Sequence, residues 1–323
     1  MTTLAITGAT GFVGGGLVQA CASRSDLRLK LLVRNPAAAA PLAGAHITLH
    51  QGDLTDPESL RRFLAPGDTL VHLAYLDGQP TANVQAVTAL ATAARAAGVR
   101  RVVHCSTALV VGTGRARLVD ESTVPEPTSD YQVTKLELER LFREGLGPEV
   151  PLAILRPTEV MGPGGEGLRE MVARVRSQSP ARAAVYRMIL GSRRFNYVCV
   201  QNVAAALLTL VDAPLASHGE VFNLSDDDDP DNSYAAVEAL IHQALGDGRR
   251  VWAVPSVPLL ALSLAYRWLL PTHAPPQRRY DATKIHRLGY SRVTTLRETI
   301  PQLVAFERQR SAGSIRVPTP GRE

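Results

Sequence analysis

Thr7-Gly8-Ala9-Thr10-Gly11-Phe12-Val13-Gly14 stands directly behind the apolar run Leu4-Ala5-Ile6. An apolar run followed by glycines at every third position marks a strand that turns sharply into a helix. Gly8 permits the turn, Gly11 lets backbone approach a phosphate, and Gly14 lets helix and strand pack closely. The helix start offers unpaired N–H groups and a positive dipole end, the environment a pyrophosphate needs. Small residues also crowd ordinary strand-to-helix turns, so the glycines alone point to a dinucleotide without requiring one.

Outward from this turn, residues 28–33, 47–49, 69–73, 101–105 and 153–155 read as further strands after 4–6. Helical patterns at 12–23, 57–64, 82–97 and 129–144 lie between them. That alternation predicts an α/β fold, a Rossmann doubly wound parallel sheet. A dinucleotide-binding domain over residues 1–155 is expected. A smaller substrate-binding region follows over 156–310, partly interleaved with the sheet, where proline and glycine become denser. Residues 311–323 are expected to form a flexible tail.

The chain of 323 residues is 45% hydrophobic and 20% charged, ordinary values for a globular protein with a sizeable core. Its net charge of +5 comes from scattered arginines, with no block of like charges and no aromatic-interleaved basic stripe. Nucleic acid is therefore not an expected partner. Cys21, Cys105 and Cys199 are odd in number and widely spaced, which fits reduced thiols better than disulfides or a metal site. With a strand-turn-helix unit where a leader would sit, the cytoplasm is the expected compartment. Residues 257–270 are too short to span a bilayer and read as an amphipathic or core helix, with a membrane-surface role as the lesser alternative. The acidic run 226–229 reads as a solvated loop.

Tyr131 and Lys135 stand four residues apart in a helical pattern, so both side chains emerge on one face. A phenol near ~10 is a poor catalyst at neutral pH, and an ammonium beside it moves its pKa toward the working range. Thr107 ends the strand before that helix, with Ser106 as a weaker neighbour.

These pieces together resemble the extended short-chain dehydrogenase/reductase family, whose members include NAD-dependent epimerases and dehydratases. The matching residues are the glycine turn, Gly52-Asp53-Leu54, His72-Leu73-Ala74, Thr107, Tyr131 with Lys135, Leu155-Arg156-Pro157, Gly162-Pro163-Gly164, and 281–284 with 288–290. They occur in family order and span nearly the whole chain. The resemblance implies that Tyr131 is the acid-base, Thr107 the hydrogen-bonding partner of the same substrate oxygen, and Lys135 the residue that tunes Tyr131 and holds the cofactor ribose. It assigns Asp53 to the adenine, and Leu54, Leu73, Ala74 and Pro157 to the cofactor wall beside Gly8, Thr10, Gly11, Phe12, Val13 and Gly14. It also implies a homodimer formed by the helices at 82–97 and 129–144. Asn83 matches a family asparagine, although a helix cap or a hydrogen bond to backbone is the favoured reading.

Arg34, at the end of the second strand, can pair with a 2′-phosphate where an acid would bind a 2′-hydroxyl, so NADP is expected, with NAD as the alternative. The family's dehydratases carry an Asp-Glu pair after the threonine, and this chain has Ala108-Leu109. Its nucleotide-sugar epimerases usually carry an asparagine three residues after the arginine, and here Arg156 is followed by Pro157-Thr158-Glu159. A carboxylate there repels a diphosphate. Tyr75, Asp77, Ala108, Glu159 and Tyr197 are the expected substrate contacts, in a pocket with Met161, Met171, Tyr186, Met188 and Phe195. The resemblance therefore favours an NADP-dependent ketone/alcohol oxidoreductase for a small to mid-sized, largely apolar metabolite, like dihydroflavonol reductases and 3β-hydroxysteroid dehydrogenases. The alternatives are a nucleotide-sugar epimerase or 4-ketoreductase, with Arg193 and Arg194 on the diphosphate, and a non-catalytic dinucleotide sensor.

Overall fold

The computed structural model describes residues 1–246, 248, 254–269 and 275–312. Its first half is β1 (Thr2–Thr7), α1 (Phe12–Cys21), β2 (Leu27–Val33), α2 (Pro36–Ala39), β3 (Ile47–Gln51), α3 (Pro57–Phe63), β4 (Thr69–His72), α4 (Pro80–Ala97), β5 (Arg101–Cys105), β6 (Leu118–Val119) and α5 (Asp130–Leu146). The second half is β7 (Leu152–Pro157), β8 (Glu159–Met161), α6 (Arg169–Ser177), α7 (Pro180–Leu190), β9 (Tyr197–Cys199), α8 (Val200–Asp212), β10 (Glu220–Leu224), α9 (Tyr234–Leu245), α10 (Leu259–Leu269), β11 (Arg279–Tyr280), α11 (Thr283–Arg287) and α12 (Leu296–Ser311). All six expected strands are present, the sixth as β7, and the α/β doubly wound reading holds.

Seven parallel strands form one sheet in the order β10-β7-β5-β4-β1-β2-β3. The chain leaves β1 toward β2 on one side and returns to β4 on the other, so a crevice opens at the carboxyl ends of β1 and β4. Both faces of the sheet are covered, as its continuous apolar strands require. Leu17, Val18 and Cys21 of α1 share one core with Val203, Leu207 and Leu210 of α8. Leu60 and Phe63 of α3, Leu90 and Ala94 of α4, and Leu138 and Phe142 of α5 share the other. A third core joins β8, β9, α6, α9 and α12 through Met161, Met171, Tyr197, Tyr234 and Ile300.

The acidic run departs from expectation, because Asp226, Asp227 and Asp229 are buried. Asp226 accepts hydrogen bonds from the Cys199 amide and Asn202, Asp227 from Asn196 and the Tyr280 amide, and Asp229 from the Leu296 amide. Arg292 faces Asp226 at 3.3 Å. The run is a knot that ties α8, α12 and β11 to the end of β10, and burial raises the Asp226 carboxyl to about 6. Ser311 closes α12, while residues 313–323 of the expected tail and residue 270 of the expected apolar helix lie outside the described residues.

Candidate active site

The glycine turn is as tight as its sequence demands. Gly8 has φ +78°, and a Cβ there would stand 2.5 Å from the Ala74 nitrogen; one on Gly14 would meet the Gly8 carbonyl oxygen at 2.1 Å. Leu73 donates its N–H to the Thr7 carbonyl at 3.0 Å, so β4 closes directly against the turn. Gly11 is the N-cap of α1 and no side chain caps the helix, which leaves its opening N–H groups facing the crevice. Arg34 is exposed at the end of β2, while Asn35 caps α2 through the Ala37 and Ala38 amides. Hydrogen bonds from Thr55, with a smaller pull from Arg34, hold the Asp53 carboxyl below its ordinary range. This cradle of glycines, uncapped amides and a flanking arginine fits a dinucleotide.

At the neighbouring strand end, Ser106 donates its N–H to the Leu155 carbonyl at 2.8 Å, which carries β5 alongside β7 as far as Thr107. The Thr107 hydroxyl accepts from the Leu109 amide at 3.2 Å and caps a short 3-10 turn. Ser129 caps α5, so Tyr131 lies in the first turn and Lys135 one turn later. Tyr131 keeps 38% exposure and borders the cleft, whereas Lys135 and Thr107 are buried. Thr107, Tyr131 and Lys135 are thus brought together.

Their electrostatics differ from the expected tuning. Lys135 Nζ donates to the Cys105 carbonyl at 3.2 Å and lies 4.8 Å from the centroid of the Tyr75 ring. Burial lowers the Lys135 ammonium. Burial, then Cys105 and Tyr75, push the Tyr131 phenol up to about 12, with the Thr107 hydroxyl working in the opposite direction. At neutral pH the phenol holds its proton and stands ready as an acid. Beneath Lys135 the buried His72 and His104 rings stack 5.3 Å apart against Phe142, and burial takes His72 down to about 3, so both stay neutral. His72 Nδ1 is 2.7 Å from the Thr7 hydroxyl, linking this layer to the glycine turn.

Tyr75, an expected substrate contact, packs on both members of the pair, its ring edge-on to Tyr131 at 5.2 Å. The aromatic residue behind His72-Leu73-Ala74 was the available sign of this role. Asp77 is exposed in the turn that Asn83 secures, by accepting from the Leu76 amide and donating to the Leu76 and Gln79 carbonyls. Asn83 is therefore a backbone clamp. Ala108 is a correction: it is wholly buried with Val111, Val119 and Tyr280, and its methyl group faces packing rather than the cleft. Leu54 is buried in the α3–α4 core, and Leu73, Ala74 and Pro157 line the strand ends.

Glu159 lies two residues beyond Pro157, paired in register with Tyr197 across β8 and β9. It is accessible, yet the surrounding protein raises its carboxyl to about 7, Arg193 pulling it back. Tyr197 is itself 4% exposed and packs on Phe195. Arg194 donates to the Asp227 carbonyl at 3.0 Å. Arg156 is buried in a two-pronged pair with Glu139 of α5, at 2.9 and 2.7 Å. That pair was missed in the sequence, where its partners stand 17 positions apart. Met161 and Met171 are core residues, and Met188 points outward. No group of three or more His, Cys, Asp or Glu among the described residues could hold a metal ion.

A family model described as the NAD dependent epimerase/dehydratase family matches residues 4–225. The chain is 30% identical over 233 residues to the 4-hydroxy-2-methyl-3-oxo-4-farnesyl-3,4-dihydroquinoline-1-oxide ketoreductase of Stigmatella aurantiaca, covering 68% of this chain and 67% of that protein. It is 34% identical over 174 residues to sterol demethylase protein B of Methylococcus capsulatus, covering 50% of this chain and 52%, about half, of that relative's length. In fold it is similar to UDP-glucuronic acid 4-epimerase from Bacillus cereus in complex with NAD, with a TM-score of 0.72, 19% identity, and 95% and 99% of the two chains covered.

Proposed function

The chain belongs to the NAD dependent epimerase/dehydratase family, and within it we propose an NADP-dependent oxidoreductase that moves hydride between nicotinamide and a ketone or secondary alcohol of a small to mid-sized, largely apolar metabolite. The convergence of Thr107, Tyr131 and Lys135 at the end of β5, beside the glycine turn, carries this reading. In the reducing direction the protonated Tyr131 phenol gives its proton to the carbonyl oxygen, which the Thr107 hydroxyl orients. Lys135, held by the Cys105 carbonyl, then faces the phenolate with a positive charge. A bound nicotinamide dinucleotide supplies or receives the hydride. Gly8, Gly11 and the α1 amides take its pyrophosphate, Thr10, Phe12, Val13 and Gly14 shape that loop, Arg34 takes the 2′-phosphate, and Asp53 the adenine.

An apolar substrate is supported by what this cleft withholds from a diphosphate. Arg156 is committed to Glu139, Arg194 is bonded to the Asp227 carbonyl, and Arg193 faces a carboxyl at Glu159. The ketoreductase relative, whose named substrate carries a farnesyl chain, agrees in kind. The test measures oxidation of NADPH and NADH with a panel of cyclic and aliphatic ketones, with and without millimolar UDP. The proposal expects NADPH to be preferred, the preference to collapse in Arg34→Ala, and UDP to leave rates and Tm unchanged. Strong UDP inhibition with no ketone turnover would transfer the site to the nucleotide-sugar reading.

A further inference from the structure

Exposed apolar residues gather on two helices remote from the sheet. On α7, Val185, Met188 and Ile189 follow the i, i+3, i+4 spacing of one helical face; on α10, Leu260 and Leu264 follow i, i+4. All five are between 43% and 67% exposed, while Arg187 and Leu262 on the opposite faces are buried. The two helices are joined at their ends. The Val257 amide donates to the Met188 carbonyl at 2.7 Å, Ser192 donates to the Val257 carbonyl at 2.7 Å, and Ser256 donates to the Arg187 carbonyl at 3.1 Å. The segment that leads into α10 is therefore fixed to the C-terminal end of α7. Soluble monomers seldom leave such a patch without a partner.

Charge identifies the partner. Residues 169–194, which hold α6, α7 and the turn after them, contain seven arginines and a single glutamate, a net charge of +6 against +5 for the whole chain. Everything outside this segment is close to neutral. Arg187 is consumed internally by Glu238 and Arg169 faces Glu166 at 3.7 Å, whereas Arg176 and Arg182 are exposed. An apolar helical face in an arginine-rich segment is the composition that settles at the headgroup–acyl boundary of an anionic bilayer. Among the described residues no helix is long and apolar enough to cross a membrane, so the contact would be with its surface.

We propose that α7 and α10 dock this protein on the surface of an anionic membrane, with Val185, Met188, Ile189, Leu260 and Leu264 entering the lipid and the α6–α7 arginines meeting the headgroups. The docking face reaches the cleft within three residues of α7, since Arg193 faces Glu159 and Tyr197. A membrane-dissolved substrate would meet the cleft at that rim. The docking claim stands on surface composition and does not depend on the hydride-transfer reading.

The full chain is sedimented with phosphatidylcholine vesicles and with vesicles containing phosphatidylglycerol, at low and high salt. Binding is expected only with phosphatidylglycerol, weakening as salt rises. It should fall on the order of tenfold or more in Val185→Glu/Ile189→Glu and in Leu260→Glu/Leu264→Glu. These positions are exposed, and an unchanged circular dichroism spectrum and Tm would show that the variants fold. No vesicle binding, salt-independent binding, or binding that both variant pairs retain would overturn the proposal. So would lipid-free self-association that the same substitutions abolish, because the face would then belong to a second copy of the chain.

Discussion

Burial raises the pKa of both the Tyr131 phenol and the Glu159 carboxyl. Burial holds the phenol protonated, with its pKa up to about 12, so under the proposed function Tyr131→Phe removes the acid beside Thr107. The expected loss in kcat is roughly a hundred- to ten-thousand-fold, with Tm within a degree or two of wild type, read by steady-state assay and thermal melt side by side. Glu159 carries a carboxyl raised from 4.5 to about 7, which means that the folded state prefers the neutral acid. Its stabilising effect is present below pH 4.5 and is lost as pH rises through 7. Glu159→Gln removes that dependence. Melts of both proteins should coincide near pH 4.5 and separate by pH 8, the variant melting higher; a constant difference across that range would show that Glu159 is an ordinary surface acid. The glycine turn and the common helix of Tyr131 and Lys135 were legible because both depend on local spacing. Ala108 was misjudged because adjacency in sequence to Thr107 says nothing about which way a methyl group points.

Helix α5 and strand β7 are joined by more than apolar packing. Glu139 is fully buried on α5, its carboxylate is held by both prongs of Arg156, and Arg143 lies 3.6 Å away. Breaking such a pair from one side costs about 3–5 kcal/mol because a charge stays buried without its partner. Arg156→Met should therefore lower unfolding free energy by that amount in a denaturant titration, and Glu139→Leu/Arg156→Met should recover most of the loss. If the double variant were no better than the single, the pair would be contributing attraction rather than mutual neutralisation. This element also shows where sequence reading stops. β5 and β7 announce themselves as apolar β-rich runs, and α5 by its cap and period. The partner of Arg156 is fixed only when α5 folds onto β7. The same limit explains Asp226, Asp227 and Asp229, whose acidic run reads as solvated because Asn202, Arg292, Tyr280 and Leu296, which enclose it, are distant in the chain.

At the scale of the molecule, the sheet and one core run across the expected boundary near residue 155. β10 pairs with the outer edge of β7 from Glu220 to Leu224, and α8 covers the sheet beside α1. One core therefore contains Leu4, Leu17 and Leu29 from the first half together with Val203, Leu207, Leu210, Phe222 and Tyr290 from the second. Removing residues 156–323 would strip that face of α8 and leave β7 cut short and unpaired at its edge. Each large aliphatic side chain so exposed costs about 1.5–3 kcal/mol, and a few of them equal the 5–15 kcal/mol by which a typical domain is stable. A fragment of residues 1–155 should accordingly show no cooperative thermal transition and should aggregate through its open edge. The full chain should unfold in one transition, its calorimetric enthalpy matching the van't Hoff value. Two separated transitions, or a fragment that melts cooperatively and binds NADPH, would mean that the glycine turn and its sheet fold without the second half.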